Sequence, residues 1–174
     1  ISRPPRTSRW CRGLEPSHLS TKKSPHMPEV VPQQGGEVRH EQASLFGDGA
    51  KVHHVGMVVK SIQAAAAAMG VPNIEVVHDQ IQKVRVAFVD VQGQCIEFIE
   101  PAADDSPVNN SLSKGIKLAH LCYSVPDIEK AIVHAKTKGL AMIAKPVPAL
   151  AFGDRKIAWL FSAHLGLFEL VEAR

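Results

Sequence analysis

One pattern occurs twice in this chain, and that duplication restricts the fold more than any other feature. VHHVGMVVKSI (residues 52–62) is followed by KVRVAFVDV (83–91) and QCIEFIEP (94–101). LAHLCYSVPDIEKA (118–131) is followed in the same order by RKIAWLFSA (155–163) and LGLFELVE (165–172). Each copy opens with a histidine and closes with a glutamate. His54 and Glu97 stand 43 residues apart, His120 and Glu169 stand 49 apart. Repeated units of this size pair to bury the apolar face that neither hides alone. One His and one Glu per half then predict a site of two imidazoles and two carboxylates where the halves meet, and such a site implies an enzyme.

Strand parity reaches the same four residues. Successive side chains of a strand point to opposite faces. In LAHLCYSV, Leu121, Tyr123 and Val125 share one face and His120, Cys122 and Ser124 the other. In the first copy Val55, Met57 and Val59 oppose His54, Gly56 and Val58. The bulky face suits the helix that follows: an alanine-rich one over about residues 61–69, and a second carrying Ile128, Ala131, Ile132 and Ala135 at helical spacing. Glu97 and Glu169 lie among apolar neighbours on the last strand of each half, and a carboxylate buried there calls for a cation. Glu100 and Glu172 have the opposite parity and are expected to face solvent or the strand ends. His53 is read as structural or exposed, Phe88 and Trp159 as core, Cys95 and Cys122 as small apolar filler. His26, His40, His78, His134 and His164 are read as surface residues.

The first 50 residues differ from the rest: rich in Pro, Ser, Arg, Gln and Gly, without a sustained period. They are expected to form an extended or disordered arm, with one folded domain over 51–174 and modules at about 51–101 and 117–174. The net charge of +3 is uneven. Arg3, Arg6, Arg9, Arg12, Lys22 and Lys23 face only Glu15 near the start, whereas residues 51–174 hold 13 basic and 12 acidic side chains. The folded part therefore has no basic stripe for a nucleic acid. An Arg- and Ser-rich, acid-poor opening resembles an organelle transit peptide; Met27 is a candidate natural start, and the compartment is left between mitochondrial matrix and cytoplasm. The arm is also a candidate contact for a protein partner. No apolar run approaches the ~18 residues of a membrane span. Three cysteines without CxxC spacing argue against a disulfide framework.

The order VHHVGMVV, IEFIEPAADDSPV, AHLCYSVPDIEKA and LFELVE resembles the vicinal oxygen chelate (glyoxalase/bleomycin resistance/dioxygenase) superfamily, and within it the methylmalonyl-CoA epimerases. The most specific element is E-x-x-E-P (97–101) followed by D-S-P (105–107). The resemblance covers about residues 51–174. It implies an α+β fold: two tandem βαβββ modules forming a cupped mixed sheet with helices outside, commonly as a homodimer. By position it carries over His54, Glu97, His120 and Glu169 as ligands of one divalent ion (Zn, Mn, Co, Ni or Fe). It implies an epimerase or isomerase that moves a proton alpha to the carbonyl of an acyl thioester or oxo acid, with Glu169 as ligand and base. Three features depart from the family pattern. KVRVAF carries no carboxylate, the loop before the last hairpin reads PALAFGDR rather than glycine-rich, and FSAHLG replaces a His-Pro. Two other readings are a glyoxalase-like lyase or isomerase on another oxo substrate, and a non-catalytic subunit anchored by the arm.

Overall fold

The computed structural model describes residues 41–174. The expected arm falls largely outside them, as do His26, His40, Cys11 and the candidate transit segment. From residue 51 the chain runs as two copies of one plan. The first copy is β1 (Lys51–Val58), α1 (Ile62–Ala68), β2 (Val77–Asp79), β3 (Val84–Val91) and β4 (Gln94–Pro101). A short linker helix, α2 (Asn109–Ser113), leads to β5 (Leu118–Val125), α3 (Ile128–Thr137), β6 (Ala141–Ala149), β7 (Arg155–Ser162) and β8 (Gly166–Glu172). The α+β fold of paired βαβββ modules is what forms.

All eight strands join one mixed sheet in the order β2-β3-β4-β1-β5-β8-β7-β6. Within each module the first strand runs parallel to the last, β1 with β4 and β5 with β8. The modules meet through the antiparallel pair β1 and β5. The strand order is therefore symmetric about that central seam.

Local chemistry explains the two outer helices. Ser61 caps α1 by accepting from the Ala64 amide at 3.2 Å, and Asp127 caps α3 by accepting from the Lys130 amide at 3.0 Å. Gly139, at φ +82, ends α3 in the left-handed conformation that glycine adopts without a Cβ penalty. Ile128, Ala131, Ile132 and Ala135 are the buried face of α3, as their spacing predicts. They pack on Val125, Leu160, Phe168 and Leu170. Full burial of a residue such as Ile128 or Ile132 contributes about 1.5–3 kcal/mol. Phe46, upstream of β1, joins this layer with its ring 4.8 Å from Tyr123. Under α1, Ile62 and Ala66 pack on Ala87, Val89 and Phe98.

Glu100 differs from the expectation of a solvent-facing residue. Its Oε2 accepts from the Ile62 amide at 2.8 Å, while its Oε1 pairs with Arg85. It fastens the start of α1 to the sheet, because the first amides of a helix have no partner within it. The linker helix has no apolar period to betray it in the sequence. Its start is held by Asn109, whose Nδ2 donates to the carbonyls of Ala103 and Asp104.

Candidate metal centre

Strand registers bring the four candidate ligands into two rows across the middle of the sheet. In one row Glu97 of β4 lies opposite Gly56 of β1, which lies opposite His120 of β5. In the other, His54 of β1 lies opposite Cys122 of β5, which lies opposite Glu169 of β8. Directly opposed residues share a face, so all four side chains rise from the inner surface. Each row joins a histidine of one module to a glutamate of the other across one small residue.

Gly56 is small for a reason the register makes plain. A Cβ there would lie 2.2 Å from Cε1 and 2.5 Å from Nδ1 of His120. Gly56→Ala is expected to displace that imidazole, lowering metal content sharply while the circular dichroism of the sheet persists. Wild-type metal content in Gly56→Ala would show that the ring has room to spare.

The four ligand atoms converge. Nε2 of His54 lies 3.1 Å from Nε2 of His120, 3.2 Å from Oε2 of Glu97 and 3.3 Å from Oε2 of Glu169. Nε2 of His120 lies 3.4 Å from each carboxylate oxygen. These five separations, 3.1–3.4 Å, match the edges of a tetrahedral site, whose corners stand about 2.0 Å from its centre, the Zn–N and Zn–O bond length. His54 is 0% exposed, His120 3%, Glu97 5% and Glu169 2%. Oε2 of Glu169 is buried without a hydrogen bond of ordinary geometry. Two carboxylates sunk this deep need a positive charge, and two imidazoles with two carboxylates suit a divalent ion of the zinc, manganese or iron type. The donor set fits such an ion.

In the metal-free protein a proton supplies part of that charge. Burial opposes protonation of His54, but its contacts with Glu169 and Glu97 outweigh burial and raise its pKa to about 9. Burial also opposes ionisation of Glu169, while its contacts with His120 and His54 prevail and lower its pKa. Because the folded pKa of His54 lies above its ordinary 6.5, its protonation stabilises the metal-free fold. That contribution is complete below about pH 6.5 and is lost as pH rises through about 9. Metal affinity should move the opposite way, because the ion must displace the proton: roughly tenfold per pH unit up to about pH 9. Calorimetry of the metal-free protein and chelator competition across this range measure both slopes, and two slopes of the same sign would contradict the assignment.

The walls come from residues read as plain core. Trp159 lies opposite Glu169 and Phe88 opposite Glu97 in the neighbouring strands. The Trp159 ring stands edge-on to His120 at 4.8 Å, and Phe88 lies 5.5 Å from His54. Their matching places in the repeat and their parity were the available signal. Phe152, on a 3-10 turn at Leu150–Phe152, stacks on His54 at 5.8 Å, with the Arg155 guanidinium 5.6 Å above it. Its placement depends on a loop whose path no periodicity encodes. His53 is not merely exposed: its Nδ1 lies 2.9 Å from Nδ1 of His54. Cys122 is buried with Ala149, Phe152, Ile157 and Val171, in keeping with a filler. Burial, then the charge of Glu169, pushes its thiol up, so it stays protonated and offers no thiolate.

Glu97, His120 and Glu169 form the floor of a cavity of about 490 Å³. Val84, Val86, Ile99, Ile143 and Leu167 make its sides largely apolar. Lys83 and Asp105 pair with each other and also line it, as does Ser111 of α2.

The chain is similar to several known proteins. The chain is 27% identical over 120 residues to the ethylmalonyl-CoA/methylmalonyl-CoA epimerase of Cereibacter sphaeroides, covering 63% of this chain and 87% of that one. It is 28% identical over 131 residues to the mitochondrial methylmalonyl-CoA epimerase of Homo sapiens, covering 71% and 74%. The solved methylmalonyl-CoA epimerase of Mycobacterium tuberculosis shares the fold with a TM-score of 0.60 at 22% identity, covering 78% of this chain and 94% of that one. With residues 49–159 matching the family model, this chain belongs to the Glyoxalase/Bleomycin resistance protein/Dioxygenase superfamily.

Proposed function

We propose that this protein is a metal-dependent epimerase or isomerase that moves a proton on the carbon next to a carbonyl or thioester. The observation that carries this reading is the convergence of His54, Glu97, His120 and Glu169 on one point at the floor of a cavity. Two relatives named as epimerases of methylmalonyl-CoA support that substrate class. Those four residues would hold one divalent ion. When bound, it supplies a Lewis acid that stabilises negative charge developing on a substrate oxygen. The carboxylates would offset the ion's charge, and the histidines would bind it as neutral imidazoles.

The protein's own groups do the rest. Glu169 faces the cavity and is held ionised, the protonation state in which it would accept the proton from the substrate carbon. Trp159 and Leu167 shield the floor, and the apolar sides exclude water around the reacting carbon. In D2O, metal-loaded protein is expected to exchange the C2 proton of methylmalonyl-CoA and to invert that centre. Absence of exchange would overturn the epimerase reading.

One observation favours a second reading. The cavity wall on β3 is Val84 and Val86, each 4% exposed, and neither can carry a proton. With Lys83 and Asp105 of the lining paired to each other, Glu169 is left as the base and the site suits a one-base proton shift, as in a glyoxalase-like lyase or isomerase acting on another oxo substrate. Exchange with retention of configuration in the same experiment would favour that chemistry. As to compartment, the Arg- and Ser-rich opening and the human relative named as mitochondrial support a mitochondrial address, with the cytoplasm as the alternative. Among the described residues no helix is long and apolar enough to cross a membrane.

A further inference from the structure

The residue before the first ligand is placed by an irregularity in the sheet. Val52 pairs with Tyr123 and His54 with Cys122, so His53 is an extra residue in β1 between two consecutive pairs. A bulge re-aims side chains that regular pleating would send to opposite faces. Here both rings come to the same neighbourhood, with Nδ1 of His53 2.9 Å from Nδ1 of His54 and their planes at 80°. Phe152 stands edge-on to His53 at 5.6 Å and packs against both rings.

This contact has only one arrangement compatible with a ligating His54. Nε2 of His54 points at His120, Glu97 and Glu169, so as a ligand it must present a lone pair there. Its proton then sits on Nδ1 and needs an acceptor. Among the described residues the one within reach is Nδ1 of His53, whose own proton must lie on Nε2. We propose that His53 is a positioning residue for the metal centre: through the β1 bulge it accepts the Nδ1–H of His54 and so fixes that ligand's tautomer and ring orientation. The inference rests on the metal-centre reading and adds a residue outside the four ligands.

The test separates the acceptor from the ring. His53→Phe keeps an aromatic ring against Phe152 and removes the acceptor, while His53→Asn places an amide oxygen near the position of Nδ1. Zn2+ affinity is measured by chelator competition, and the His54 tautomer by long-range ¹⁵N–¹H NMR of the Zn2+-loaded protein. His53→Phe is expected to weaken Zn2+ binding about 10–100-fold, the usual cost of losing an outer-shell partner, with His53→Asn restoring most of it. The wild-type spectrum should show His54 protonated on Nδ1. Unchanged affinity in His53→Phe, or equal losses in both variants, would overturn the proposal. Should His53→Phe fail to fold, the wild-type spectrum decides alone, and a proton on Nε2 of His54 overturns it. Wild-type protein that binds no Zn2+ would overturn the metal-centre reading as well, whereas tight wild-type binding with an indifferent His53→Phe overturns this inference only.

Discussion

His120→Ala is expected to lose the metal and the activity together. The imidazole lies within 3.4 Å of both carboxylate oxygens and 3.1 Å from Nε2 of His54, and among the described residues no other donor belongs to this cluster. The affinity loss should exceed the ~10–100-fold typical of outer-shell changes. Elemental analysis after purification without chelators provides the measurement. The metal-free variant should also be less stable, because Glu97 and Glu169 keep only one imidazole between them, and breaking a buried charge set typically costs about 3–5 kcal/mol. Full metal occupancy in His120→Ala would refute the four-ligand assignment.

Glu169→Gln should separate binding from chemistry. Glutamine still offers an oxygen to the ion but cannot take a proton, so metal affinity should fall modestly and turnover by ~10²–10⁴-fold. A second consequence follows from electrostatics. Contact with Glu169 is the foremost influence raising the pKa of His54, so in the metal-free variant that pKa should drop from about 9 toward the ordinary histidine value. The pH dependence of Zn2+ binding should then flatten above neutrality, as the ion has less often a proton to displace. Full turnover together with full metal content would show that Glu169 is not the base.

These two substitutions probe residues that the chain itself points to, whereas Gly56 and His53 illustrate what it conceals. Gly56 reads in sequence as a small residue on the histidine-bearing face. Only the pairing of β1 with β5 shows that the His120 ring occupies the space its side chain would take. His53 reads as structural or exposed, since strict alternation sends it to the face opposite His54. The bulge breaks that alternation, and a one-residue insertion in a strand leaves no mark in composition or period.

The internal repeat and the period-two alternation determined the α+β plan and the shared face of His54, Glu97, His120 and Glu169, because side-chain direction along a strand is set locally by the pleat. Helix α3 was equally legible, its buried stripe following from spacing alone. Tertiary structure alone decided that the four meet, and which histidine shares a row with which glutamate. The antiparallel seam of β1 and β5 places Glu97 in one row with His120 and His54 in one row with Glu169. Register between strands distant in the chain depends on packing and pairing across the whole sheet, and so does the turn that lays Phe152 over His54. No single segment carries that information, since each pairing exists only once both partners are in place.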